Sequence, residues 1–229
     1  MNKKTLALSI ALTLSTASTL LFAEGKVSAG KEKSGSCAGC HGEKGNSTMP
    51  LFPKLASQHP GYLIKQMVAF KDGSRKDATM APMVMGLSDE DMADIATFYA
   101  EQKISKNEIP VLNNDDDDED EEDQESGNDS SKQSLDIDAL LSLGSDLYRN
   151  GDLGREVSAC IACHGPYGEG NKPAAFPALT SQHADYLIKS LTDYKSGARG
   201  KVDNMMHMIA KKMTDEEIRA VSYHISMKK

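Results

Sequence analysis

The sequence predicts an all-α protein of two tandem small domains, and three observations predict it. The chain repeats itself over most of its length, the apolar residues of each repeat fall at helical spacing, and no stretch alternates apolar and polar residues for long enough to make a strand. A length of 229 residues suits either one large or two small domains at roughly 100 to 200 residues each. The repeat decides for two.

Taken in chain order, residues 1–23 read as an export signal. Lys3 and Lys4 form a short basic start, Leu6 through Phe22 is apolar though diluted by Ser and Thr, and Ala23 is the expected cleavage residue. Leu21 is larger than the small residue usual at the third position before a cut, so an uncleaved anchor is the competing reading. No cysteine lies near the cut, which counts against a lipoprotein, and no later stretch approaches the ~20 apolar residues of a membrane span. A periplasmic location is therefore expected, in a compartment where free cysteines are normally oxidised.

The first domain is expected at 24–107 and the second at 135–229. S-C-A-G-C-H-G at 36–42 matches A-C-I-A-C-H-G at 159–165, an offset of 123. F-P-K-L-A-S-Q-H-P-G-Y-L-I-K from Phe52 matches F-P-A-L-T-S-Q-H-A-D-Y-L-I-K from Phe176 at 124. The offset becomes 126 at Met80 and Met206 and holds through L-S-D-E-D and M-T-D-E-E. Tyr62, Leu63, Met67 and Phe70, with their counterparts Tyr186, Leu187, Leu191 and Tyr194, lie on one face of a helix that Gly73 or Gly197 ends. A last helix opens at Ser88 or Thr214, each followed three residues later by an acid, Asp91 or Glu217, as in a capping box. Its apolar positions are Met92, Ile95 and Tyr99, matching Ile218, Val221 and Ile225. Pro50, Pro53, Pro173 and Pro177 mark turns in the stretch after each cysteine pair.

Residues 108–134 are expected to be an acidic, flexible linker. Positions 115–125 hold ten acids and no base, a block that stays solvated. The flanking segments are each neutral, with eleven bases against eleven acids in 24–114 and thirteen against thirteen in 126–229. The acidity of the chain therefore describes its linker and neither domain surface. A plain spacer is one role for this run, and contact with a basic partner, or with a cation, is the other. No nucleic-acid partner is expected.

The chemistry lies in C-A-G-C-H at 37–41 and C-I-A-C-H at 160–164. Two thiols one short turn apart, with an imidazole directly after, form the c-type haem attachment pattern. The thiols reach two vinyl groups of one porphyrin while the histidine comes beneath the iron. Cys37, Cys40, Cys160 and Cys163 would then be thioether-bonded, with His41 and His164 as iron ligands and two covalently bound haem c groups as cofactors. A thioredoxin-like C-x-x-C and half of a zinc site are the competing readings. Two copies, each followed by Gly inside matching repeats, count against both.

Methionine and histidine compete for the sixth coordination position. Met80 and Met206 coincide in the repeat alignment, in what reads as an extended loop ahead of the last helix, whereas Met83, Met85, Met205 and Met208 have no methionine counterpart. Met80 and Met206 are the expected ligands, with Met83 and Met205 or Met208 as the fallback and core packing as the alternative role. His59 and His183 also coincide, but each directly precedes a helix and is assigned a structural role; His207 and His224 are unpaired between repeats and are assigned to surface or packing. His–Met ligation raises the reduction potential relative to bis-His.

With these motifs in place, the chain resembles the dihaem cytochrome c4 family, two class I cytochrome c domains in tandem, over nearly all of its mature length. The resemblance implies that each domain wraps one covalently bound haem, that His41 with Met80 and His164 with Met206 are the axial pairs, and that the carbonyls of Pro53 and Pro177 accept a hydrogen bond from the proximal histidines. It further implies a periplasmic electron shuttle with a quinol-oxidising complex as donor and a terminal oxidase as acceptor, associating with a membrane only peripherally, through those partners. The protein is then an electron carrier, not an enzyme. A haem enzyme such as a dihaem peroxidase, or a dehydrogenase subunit, is the rival class. The acidic linker departs from the family's short connection, which leaves domain packing open.

Overall fold

A computed structural model describes residues 25–108 and 130–228. The expected export signal at 1–23 and the acidic run at 115–125 lie outside the described residues. Within them the chain is helical, with no strand and only two isolated bridges, Asp152 to Val157 and Asn171 to Phe176. The first repeat supplies α1 (Val27–Lys33), α2 (Gly35–His41), α3 (Pro60–Lys71), α4 (Met80–Met85) and α5 (Asp89–Ala100). The second supplies α6 (Ser130–Asn150), α7 (Ile161–His164), α8 (Ala184–Lys195), α9 (Asn204–Ala210) and α10 (Asp215–Ser226). The helix α6 begins inside the stretch assigned from sequence to the linker.

In each domain the first helix crosses the last, α1 on α5 and α6 on α10. The crossings are close because a glycine sits at each. A Cβ on Gly30 would stand 2.0 Å from the Asp94 carbonyl oxygen, and one on Gly144 would stand 2.1 Å from that of Ala220. Ionic contacts tie down the last helix of each domain. Lys33 Nζ lies 2.6 Å from Asp94 and 2.7 Å from Asp91, while Asp94 also accepts from the Lys26 amide. In the second domain Arg155 forks onto Glu217 and Asp152.

The third helix of each domain packs its apolar face inward, burying Leu63, Ile64 and Phe70 on α3, and Leu187 and Tyr194 on α8. Gly73 and Gly197 take φ of 75° and 84° just past the helix ends, as a left-handed stop requires. Both capping boxes are formed, Ser88 with Asp91 and Thr214 with Glu217. The cores are two separate clusters, one around Leu63, Ile95, Phe98 and Tyr99, the other around Leu147, Tyr148, Leu187, Ile218 and Val221.

The two domains meet through contacts that come in reciprocal pairs. The Lys54 amide donates to Gln182 Oε1 at 2.8 Å and Gln182 Nε2 donates back to the Lys54 carbonyl at 2.9 Å. At the equivalent positions the Ala178 amide donates to Gln58 Oε1 and Gln58 Nε2 returns a bond to the Ala178 carbonyl, both at 2.9 Å. His59 and His183 use Nε2 on carbonyls of the opposite domain, Glu169 and Ser47, each at 2.9 Å. Asn107, after the last helix of the first domain, donates to the carbonyls of Ser181, Gln182 and Ser226 and straps the chain to the second.

Candidate functional site

Each site is built on one short helix. The helix α2 carries Cys37, Cys40 and His41, and α7 with its N-cap carries Cys160, Cys163 and His164. The spacing of three places both thiols of a pair on one helix side, with the histidine one step on. Both imidazoles are buried, with exposures of 5% and 7%, and burial holds their pKa below the ordinary histidine value. His41 Nδ1 lies 2.8 Å from the Pro53 carbonyl oxygen, and His164 Nδ1 lies 3.0 Å from that of Pro177. A carbonyl only accepts, so Nδ1 carries the proton and Nε2 is left as a bare lone pair. Phe52 and Phe176 stand against the two rings.

The cysteines form no disulfide. Burial pushes the Cys37 thiol up and the Cys160 thiol to about 11, opposite to the depressed pKa that makes a C-x-x-C pair redox-active. Among the described residues no three His, Cys, Asp or Glu side chains converge as a metal site. The donor set fits haem, whose porphyrin provides four iron ligands of its own and asks the chain for two thiols, one neutral imidazole and one further axial group.

Met80 and Met206 lie on helices α4 and α9, which pack against α3 and α8. They lie in short helices, and the expected extended loop is corrected. The cause is a pair of aspartates. Asp77 Oδ1 accepts from the amides of Thr79 and Met80 at 3.0 Å, and Asp203 Oδ1 accepts from that of Met206 at 3.3 Å, ordering the first turn. Both methionines are half-buried, whereas Met83, Met85, Met205 and Met208 are exposed. The sequence reading missed Asp77 and Asp203, although they share the 126-residue offset of the methionines they position.

His59 and His183 direct Nε2 to the domain interface. His207 Nδ1 bonds the Tyr194 carbonyl at 2.7 Å, and His224 is half-buried beside Tyr148.

Paired cysteines, a buried tautomer-fixed histidine and an all-helical wrap, given twice, define a c-type cytochrome with two haem domains. Cytochrome c is the family matched, over residues 22–103 and again over 142–227. The chain is 38% identical to cytochrome c4 of Azotobacter vinelandii over 217 residues, 90% of each chain, and 37% identical to cytochrome c4 of Pseudomonas aeruginosa over 227 residues, 98% of each. It superposes on the structure of reduced recombinant cytochrome c4 from Pseudomonas stutzeri with a TM-score of 0.74 and 35% identity, covering 90% of this chain and all of that one. The chain belongs to the cytochrome c4 family. It is a dihaem electron-transfer cytochrome with two covalently bound haem c groups.

Proposed function

We propose that the chain is a periplasmic relay that takes electrons from a quinol-oxidising complex and passes them toward a terminal oxidase, with both irons axially closed. Haem supplies a one-electron ferric/ferrous couple, and the chain supplies ligation, burial and orientation. The observation that carries the reading is the duplicated donation of His41 and His164 to Pro53 and Pro177. That bond commits Nε2 to iron and raises the basicity of the imidazole. Met80 and Met206, whose amides bond Asp77 and Asp203, would be the second residue that each domain offers to its iron. Cys37, Cys40, Cys160 and Cys163 tie the porphyrins to the short helices. With a histidine and a methionine held on each iron, no position would remain open for a substrate, which sets this reading against a peroxidase. Among the described residues no helix is long and apolar enough to cross a membrane, in keeping with a carrier that meets membrane complexes from outside.

The test is the ferric spectrum of the purified protein. A methionine–iron charge-transfer band of two-haem intensity is expected, and half that intensity with rapid carbon monoxide binding to the reduced form sinks the relay. Direction is tested by mixing with membranes, where quinol should reduce the protein and an oxidase should reoxidise it.

The acidic run at 115–125 is proposed as a steering element for a basic partner. Deleting it should leave both haem spectra unchanged and flatten the salt dependence of electron transfer. An unchanged salt slope makes it a spacer.

A further inference from the structure

The peptide group that joins Pro53 to Lys54 is bonded at both of its ends. Its carbonyl accepts from His41 Nδ1 at 2.8 Å, and its N–H donates to Gln182 Oε1 of the other domain, also at 2.8 Å. The second repeat reproduces the arrangement. There the peptide between Pro177 and Ala178 accepts from His164 Nδ1 at 3.0 Å and donates to Gln58 Oε1 at 2.9 Å. Both peptides are trans, and a trans peptide points its carbonyl and its N–H in opposite directions. One rigid planar group therefore stands between the histidine of a haem-attachment motif on one side and the opposite domain's glutamine on the other.

Each glutamine is fixed in the orientation this needs. Gln182 Nε2 donates to the Lys54 carbonyl and Gln58 Nε2 to that of Ala178, both at 2.9 Å. Each Oε1 also takes the N–H of the residue that follows its own, His183 at 3.1 Å and His59 at 3.0 Å. Two N–H groups face one atom of the amide and a carbonyl faces the other, so oxygen and nitrogen cannot be exchanged. Gln182 and Gln58 are buried, with exposures of 5% and 6%. In such surroundings hydrogen bonds in series strengthen one another, by about 10 to 30% per bond.

We propose that Gln182 and Gln58 are crossed positioning residues, each setting the strength of the histidine–proline hydrogen bond, and with it the reduction potential, of the haem in the opposite domain. An oxygen that accepts the peptide N–H draws the peptide toward its charge-separated resonance form, and the carbonyl oxygen at its other end becomes more negative. That carbonyl then pulls harder on the Nδ1 proton, Nε2 becomes a more basic ligand, and ferric iron is favoured over ferrous. Gln182 thus belongs by sequence to the second domain and by bonding to the first haem, and Gln58 the reverse. The inference rests on His41 and His164 ligating the irons, as in the relay reading.

The test follows reduction of the haem-loaded protein by NMR, with each haem assigned through the Nδ1 proton of its own histidine in the ferrous state. Gln182→Met fills the same space with no acceptor. It is expected to raise the electron affinity of the first haem about threefold, which is ~28 mV for one electron at ~59 mV per tenfold change. The His41 Nδ1 proton should move upfield, and the second haem should keep its potential. Gln58→Met should give the mirror result, with the second haem and His164 moving. Gln182→Glu restores an acceptor oxygen and should return the first haem to its wild-type potential or below. Asn107→Ala cuts three other bonds between the domains and keeps both glutamine pairs, so both potentials should stay at wild type.

Unchanged potentials and Nδ1 positions in both Met variants, with two haems bound and the methionine–iron band intact, overturn the crossed tuning and leave the relay standing. Equal shifts of both haems in one variant, or the same shifts in Asn107→Ala, assign the effect to an opened interface and equally overturn it. So does a Gln182→Glu protein that stays at the potential of Gln182→Met. If a Met variant loses haem or fails to fold, Gln182→Asn and Gln58→Asn decide, because their amides are one methylene short of the peptide; absence of the crossed pattern there refutes the proposal.

Discussion

Single residues divide into those whose chemistry fixes their neighbours and those whose partners are far away in sequence. Cys37, Cys40 and His41 were legible because a porphyrin dictates their spacing, and the repeat made Met80 stand out from eleven other methionines. Asp77 and Asp203 carried a readable signal, an acid three residues before each repeated methionine, but helix capping there was hidden by the expectation of a loop. Arg75 and Arg199 also coincide in the repeat, yet their burial depends on contacts 111 to 137 residues away along the chain, which no local pattern encodes. His224 yields a prediction at this scale. Burial, then Lys228 and Arg149, hold its pKa down to about 4, below the ordinary 6.5. The unfolded chain therefore binds more protons than the folded one between those values, and stability is lost as pH falls through that window. Solvent screening at a half-buried ring keeps the effect to about 1 to 2 kcal/mol. His59 and His183 are held low by burial as well and add to the loss. Urea melts at pH 7 and pH 5 should show it, and His224→Gln should reduce the difference.

At the level of elements, α3, α5, α8 and α10 were legible because their apolar spacing, glycine stops and capping boxes are local, whereas α6, the longest helix, was not proposed from sequence. The helices α1 and α2 were not proposed from sequence, since seven residues of mixed polarity carry little periodicity. What gives α1 its place is its crossing with α5, and that depends on Gly30, which in sequence is one glycine among eighteen. The second domain repeats the device with Gly144. Gly30→Ala or Gly144→Ala is expected to force the paired helices apart, because the new methyl falls on backbone that cannot yield. A loss of about 2 kcal/mol or more is expected in a denaturant melt of the haem-loaded protein. Ala in place of Gly35, around which no atom lies within 4 Å of an added Cβ, should leave stability near wild type.

For the whole molecule, two domains and their order followed from self-alignment, while their packing did not. The long acidic run left open whether the halves pack, because a charged, solvated tether says nothing of the surfaces it joins. The structure joins them by paired glutamine bonds, two histidines and the Asn107 strap. Such bonds cross between distant segments, so composition says nothing of them. Replacing Gln58 and Gln182 together by Ala removes all four glutamine bonds and leaves their backbone partners to be satisfied by water. The double variant is expected to separate the domains, seen as a larger radius of gyration in solution scattering, with both haem spectra retained. An unchanged radius would mean that the His59 and His183 bonds and the Asn107 strap suffice.

The give-and-take between Gln58 and Gln182 means that each half presents a patch that is its own complement. Twofold dimers are built on surfaces of that kind. Two detached halves could mate along it with no connecting peptide, and the tether then acts by holding the halves at high local concentration. It also settles which halves mate. Like could pair with like on the glutamine contacts alone, but only a first half beside a second sets Lys54 against Gln182 and Ala178 against Gln58.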